Sequence, residues 1–556
     1  MARKKKSKKK APPLRLVGEQ FLAEAIDRSG ASYVLSVPGL PGRDLMEYLI
    51  QKTKLGKKHW VQWSINSRTA IDTAAGMALS GWWVAVVLRG SDFAATLDTL
   101  QTLSLVRTRG ALLVIVGDDP AAWVSYNNVD SRQLAAASNL PVLELEQAQD
   151  SFPLIRKAFE WSESFELPIV LRYTSALNLQ EDEFWQDEVD IVRHPRKFRT
   201  HFHSPVLSCP ENVLENQTLW RKRLQNIKDA IELEHLAKKF GHGKKGIITS
   251  GYMFSKVLEV TSGKLDPYFS LLSISSVYPI PETAIAEFLQ SVDEIMVLEE
   301  GEPLVERQVL EYAGAQNWKG SFWGKTNQKV PSEGEIFKWE IEELLTSWEP
   351  EFETEEVFFP YQEQQKQLSK EGFCESCSFP EILKTFRNAI AATLDNQKPL
   401  VVADSGCILK AVLEFPEFAS VTLSSGSAIG VAAGMATAQK GKTVIAITGD
   451  TSFYHSGIQH LINAAFNQYN VFVLVMDNSV SAQTGFQPNP GSGRDVKGKE
   501  IKKIEKDDLL FAAKADYFRV VKPDDSDALQ TAFQEGLLAK GVRVVVVEQP
   551  CDLFES

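Results

Sequence analysis

The sequence predicts a multidomain α/β protein built on parallel sheets, and three observations carry that expectation. Strand-like runs such as 84–88 (VAVVL), 112–116 (LLVIV) and 168–171 (PIVL) alternate with helical patterns such as 18–29 (GEQFLAEAIDRS). Two further β-branched-rich runs, 443–448 (TVIAIT) and 471–476 (VFVLVM), enclose 456–469 (SGIQHLINAAFNQY), where Ile458, Leu461, Ile462 and Ala465 fall at helical spacing. That is one strand-helix-strand unit. Finally, 556 residues at 44% hydrophobic composition suffice for three or more domains, each burying its own core.

Punctuation along the chain divides it. Residues 1–13 form a basic tail, in which Arg3 to Lys10 hold seven basic residues with no apolar signal core after them. The total net charge is −12, so the body is acidic and the tail a local exception; a disordered, solubilising tail is expected, and nucleic acid is not an expected partner. A first α/β region covers 14–192. The stretch 193–243 opens with the polar, basic RHPRKFRTHFHSP and continues as a charged helical segment, leading to a second α/β region at 244–348. Acidic and Gln-rich 349–372 reads as a linker into a third region, 373–556. The longest apolar runs are strand-sized, which predicts no membrane span. Five cysteines, at 209, 374, 377, 407 and 551, are too few and scattered for a disulfide framework and suit a reducing cytoplasm.

The chemistry is sharpest around Gly449-Asp450-Thr451 and Asp477-Asn478. A right-handed crossover makes the flanking strands parallel, so residues just past their carboxyl ends emerge on one sheet edge and Asp450 can meet Asn478. A carboxylate and an amide oxygen are hard ligands suited to Mg²⁺, which completes its shell with phosphate oxygens and water. Gly449 would let backbone approach a diphosphate, and the helix amino terminus after Thr451 would supply N–H groups to it. The plainer alternative is that both dipeptides make strand-ending turns. Upstream, Gly426, Gly430 and Gly434 recur every four residues; the last two are expected to let a helix pack closely against its sheet. No G-x-G-x-x-G lies there, which argues against a nicotinamide-binding fold. Downstream, Gly485, Pro488, Pro490, Gly491 and Gly493 mark a long turn-rich loop beside the phosphate site.

Residues 449–457 (GDTSFYHSG), 477–478 (DN) and 484–491 (TGFQPNPG) resemble the cofactor-binding part of the alpha subunit of indolepyruvate:ferredoxin oxidoreductase, a thiamine-diphosphate enzyme of the 2-oxoacid oxidoreductase group. Residues 36–42 (SVPGLPG), 63–66 (WSIN), 117–120 (GDDP), 125–132 (SYNNVDSR), 277–281 (VYPIP), 297–303 (VLEEGEP) and 404–407 (DSGC) follow in the family's order. The resemblance implies two thiamine-diphosphate-binding-type parallel-sheet domains flanking a transketolase-carboxyl-terminal-like α/β domain. The pyrimidine end of the cofactor would belong to the first region and the diphosphate end to the third. It further implies cofactor contacts from Asp404, Gly406, Cys407, Gly426, Gly449, Asp450, Thr451, Asn478, Thr484 and Gly485, with Mg²⁺ held by Asp450, Asn478 and the Val480 carbonyl. His455 and Gln487 would stand near the reacting substrate, the former as a proton donor or acceptor or simply as a helix-terminus hydrogen bonder. A homodimer core, a smaller or cluster-bearing partner subunit, coenzyme A and a 2-oxoacid complete what it implies.

Two departures from the family pattern matter. The family follows its W-S-x-N element with a glutamate that activates the aminopyrimidine; here Ser67 follows Asn66, and Arg68 restores no carboxylate. The family's alpha subunit also ends in a Cys-rich ferredoxin-like domain, whereas this sequence stops at Ser556. Cys374 and Cys377 form one C-x-x-C pair, and two thiols do not hold a cubane, so no iron–sulfur cluster is expected within the chain. The readings left open are oxidative decarboxylation of a 2-oxoacid, non-oxidative decarboxylation or carboligation, and a cofactor-binding subunit of reduced catalytic power.

Overall fold

In the computed structural model, residues 13–54, 60–125, 129–184, 210–234, 236–359, 372–395 and 397–554 are described. Residues 1–12 of the basic tail, the whole of 193–209 and 360–371 of the expected second linker lie outside them. The chain forms two compact units, 1–364 and 365–556. It is a multidomain α/β protein with parallel sheets, and among the described residues no helix is long and apolar enough to cross a membrane.

The first unit contains two large sheets and a two-stranded antiparallel ladder of Leu14–Val17 with Glu181–Phe184. Its larger sheet orders the strands Ser276–Tyr278, Val142–Glu144, Ile169–Thr174, Leu112–Asp118, Val84–Arg89, Tyr33–Ser36 and Trp60–Trp63. All pairings are parallel except the edge strand Ser276–Tyr278, which runs antiparallel to Val142–Glu144. Val84–Arg89 and Leu112–Asp118 are buried throughout apart from Arg89, as strands with helices on both faces must be. The second sheet orders Ser321–Trp323, Glu294–Leu298, Lys245–Ser250, Phe269–Ile274 and Ala237–Gly241, the last antiparallel to its neighbour. It therefore begins at Ala237, inside the stretch read as a linker. Residues 349–359 also differ from a linker: Phe352 enters the core, and Glu342 accepts from Thr354 Oγ1 at 2.6 Å and from the Phe358 N–H at 3.0 Å.

The two sheets are joined by a shared apolar core and by a buried ionic network. Arg172 pairs with Glu144 and, at 2.9 Å, with Asp118; Arg132 pairs with Asp130 at 2.7 Å and reaches Glu299 of the second sheet at 2.9 Å. Burial pushes Asp118 up to about 6 even though Arg172 opposes it.

The second unit is built on a five-stranded parallel sheet ordered Leu400–Ala403, Val444–Gly449, Val471–Asp477, Val542–Glu548 and Tyr517–Val521. Apolar clusters cover both faces. The expected strand-helix-strand unit is present, but its helical stretch starts earlier than the apolar spacing indicates. Asp450–Ser452 is α-helical, Phe453–Gly457 is a π turn and Ile458–Phe466 continues as α-helix. On that helix Leu461 and Ala464 are fully buried while Ile462 is 52% exposed, so the buried face is turned away from the one the apolar spacing indicates.

Candidate functional site in the second unit

Gly449 pairs with Met476 across two neighbouring parallel strands, so Asp450 and Asn478 leave the sheet side by side. Asp450 Oδ1 accepts its neighbour Thr451's N–H at 2.8 Å, which fixes the carboxylate at the helix start. One terminal atom of the Asn478 amide lies 2.6 Å from the Val480 carbonyl oxygen and 3.3 Å from Asp450 Oδ1. An amide nitrogen at that corner donates to both oxygens. Turned by half a rotation, the amide brings its own oxygen there, and three oxygens converge on one point, a set that a hard cation satisfies. Among the described residues no group of three His, Cys, Asp or Glu side chains is placed to hold a metal ion, and this set differs in using one carboxylate, one amide and one backbone carbonyl.

The backbone here is strained. Ser479, between Asn478 and Val480, has φ +65°, and Phe486 has φ +62°, conformations that cost a non-glycine residue about 1–3 kcal/mol each. Asp477 Oδ1 accepts the Ser479 N–H at 2.9 Å, and a short antiparallel ladder of Val480–Ser481 with Gln487–Pro488 closes the turn. The other oxygen of Asp450 is also engaged: Asn489 Nδ2 donates to Asp450 Oδ2 at 2.7 Å and to Thr451 Oγ1 at 3.2 Å. Burial first, and the Asp477 charge second, raise the Asp450 carboxyl well above its ordinary range.

The remaining expected residues separate into those facing the site and those supporting it. Thr451 Oγ1 lies 3.0 Å from Ser481 Oγ. Beside Gly449, a Cβ would meet only the Met476 carbonyl at 4.0 Å, and beside Gly406 nothing within 4 Å, so both leave room for a ligand. Gly426 is needed for the fold itself: at φ +78°, a Cβ would come 2.2 Å from Ser456 Oγ. Its turn is stitched to the helix by Ser425 and Ser452 hydroxyls 3.1 Å apart and by Ser456 Oγ donating to the Ser425 carbonyl at 3.0 Å. Gly430 does permit a close approach, but to His460 Nδ1 of the neighbouring helix, 2.7 Å from its would-be Cβ, rather than to the sheet; Gly434 faces nothing within 4 Å.

Asp404 is fully buried and turned to the start of the helix Ala428–Ala438, whose Ala428 N–H donates to it at 3.1 Å. Burial pushes its carboxyl up to about 6. It supports the Gly426 turn. Gln487 is buried and exchanges bonds with Thr484: Thr484 Oγ1 donates to Gln487 Oε1 at 2.6 Å, and Gln487 Nε2 donates to the Thr484 carbonyl at 2.7 Å. Gly485 ends that turn. His455 sits in the π turn, its Nδ1 3.1 Å from Ser456 Oγ.

Sequence reasoning missed Asn489 and Lys506. Burial pushes the Cys407 thiol up to about 12. The Cys551 N–H donates to the Asn478 carbonyl at 3.2 Å, so Cys551 borders the candidate cation site.

In the first unit, Asn66 caps the helix Ser67–Leu79 by accepting the Thr69 N–H at 2.8 Å, which buries Ser67 to 2% exposure at the first helical position. Arg68 is bound at 2.9 Å by both Asp72 and Asp98.

Comparison with known proteins finds similar chains. Residues 405–548 match the thiamine pyrophosphate enzyme, C-terminal TPP binding domain. Indolepyruvate oxidoreductase subunit IorA of Pyrococcus abyssi is 26% identical over 97% of this chain and 86% of its own length, and that of Archaeoglobus fulgidus is 26% identical over 97% and 87%. The 2-oxoglutarate synthase subunit KorB of Archaeoglobus fulgidus is 25% identical over 32% of this chain and 69% of its own. A solved 2-oxoglutarate:ferredoxin oxidoreductase from Magnetococcus marinus aligns with 60% of this chain and 65% of its own at 13% identity, with a TM-score of 0.48. Nearly end to end, then, the chain resembles the A subunit of indolepyruvate oxidoreductase, within the thiamine-pyrophosphate-dependent 2-oxoacid oxidoreductases, and carries their thiamine pyrophosphate domain.

Proposed function

We propose that this protein binds thiamine diphosphate through Mg²⁺ and oxidatively decarboxylates a 2-oxoacid of the indolepyruvate or arylpyruvate type. The observation that carries the reading is the convergence of Asp450 Oδ1, the Asn478 amide and the Val480 carbonyl at the ends of two adjacent strands. The bound cofactor supplies the electron sink for loss of CO₂. Asp450, Asn478 and Val480 hold the cation; Gly449 and Gly406 leave space for the diphosphate side, and Thr451 presents the helix start to it. His455 is the candidate proton-handling group for the substrate, and Thr484, Gly485 and Gln487 form the turn that follows Ser481. A homodimer core, a smaller partner subunit, coenzyme A as acyl acceptor and a cytoplasmic setting belong to the same proposal; the partner subunit is supported by relatives that are themselves named as subunits. The test is CO₂ release from a panel of 2-oxoacids, with and without an artificial electron acceptor. Acceptor-dependent release from aryl substrates is expected, and acceptor-independent release would replace the oxidative reading with simple decarboxylation.

A second reading, a cofactor-binding subunit of reduced catalytic power, is favoured by one observation. Ser67 stands buried where the resemblance expects a carboxylate, and its neighbour Arg68 is paired with Asp72 and Asp98. Exchange of the thiazolium C2 proton of added cofactor into D₂O reads this directly. Ser67→Glu is expected to accelerate exchange by about a hundredfold, the scale of one acid–base group, and a carboxylate at a helix start is electrostatically tolerated. Fast exchange in the unaltered protein would remove this reading.

A further inference from the structure

We propose that Lys506 is a positioning residue for the cation site: paired with Asp477, it pins the loop that lays Asn489 onto Asp450. The proposal rests on the reading of Asp450, Asn478 and Val480 as cation ligands.

Lys506 opens the helix Lys506–Ala512, yet its side chain is only 1% exposed and its ammonium is paired with Asp477, 2% exposed. The ammonium also lies 5.3 Å from the centroid of the Tyr454 ring. Lysine is almost never buried to this depth, and desolvating both charges costs as much as a buried ion pair returns, so stability alone is a weak reason for it. Its location supplies a better one. Asp477 directly precedes Asn478 and uses its other oxygen to hold the strained Ser479. The loop that leaves this turn is fixed at Asn489, which donates to Asp450 Oδ2 and accepts the Gly491 N–H at 2.9 Å. It is fixed again where Tyr454 donates to the Ile504 carbonyl at 2.8 Å, and finally at Lys506. Backbone passes so close at Gly491 that a Cβ there would sit 2.8 Å from the Tyr454 hydroxyl and 3.1 Å from Lys506 Nζ. All three anchors thus end on residues at or beside the two strand ends that present Asp450 and Asn478. Without the ammonium, the returning end of the loop is released and the Asn489 amide loses its fixed seat on Asp450.

The experiment titrates the full-length protein with Mg²⁺ at fixed thiamine diphosphate by calorimetry, with thermal unfolding measured on the same preparations. Lys506→Met is expected to raise the half-saturating Mg²⁺ concentration about tenfold or more, the scale seen when an outer-shell partner of a metal ligand is lost. Lys506→Arg should recover most of that loss. The double variant Lys506→Met with Asp477→Asn removes both charges, relieving any folding defect from a stranded carboxylate, and should remain weak for Mg²⁺. Wild-type Mg²⁺ response in Lys506→Met overturns the proposal, as does recovery of both melting temperature and Mg²⁺ response in the double variant. Normal Mg²⁺-dependent cofactor binding by Asp450→Ala would instead remove the cation site itself, and the proposal with it.

Discussion

Asn489 Nδ2 donates to Asp450 Oδ2 at 2.7 Å, leaving Oδ1 as the carboxylate oxygen that faces the Asn478 amide. The carboxylate is therefore aimed before any ligand arrives. A metal ligand whose far oxygen is hydrogen-bonded loses little freedom on coordination, and such outer partners tune affinity strongly. Asn489→Ala is expected to weaken Mg²⁺ binding in the presence of thiamine diphosphate by about tenfold, read by calorimetry, while leaving the fold intact by circular dichroism.

Asp404 gives a prediction about pH. Its carboxyl is raised from 3.8 to about 6, with burial the largest cause. The folded state thus holds this proton more tightly than the unfolded chain does. The resulting stability is fully present below 3.8 and is lost as pH rises through about 6. Asp404→Asn keeps an acceptor for the Ala428 N–H without the charge. The melting temperature of the variant minus that of the wild type should increase steadily between about pH 4 and pH 7; a flat difference would contradict a raised carboxyl at this position.

Much of this arrangement was legible in the sequence, and the rest was not for physical reasons. β-branched runs announced Val444–Gly449 and Val471–Asp477, and crossover handedness brought Asp450 to Asn478. Periodicity could not foresee the π turn at Phe453–Gly457, nor that Ile462, at helical spacing with Ile458, is left exposed. Lys506 reads as a surface charge in a lysine-rich stretch, because sequence carries no sign that its partner is the buried Asp477. The Pro- and Gly-rich loop was marked as functional, yet Asn489 within it gave no separate signal.

The most direct measurement is calorimetric binding of thiamine diphosphate with Mg²⁺ to the wild type and to Asp450→Ala, each confirmed as folded. The account predicts saturable, Mg²⁺-dependent binding in the wild type and none in the variant. Equal affinity in both proteins would contradict the placement of the cation at Asp450, Asn478 and Val480.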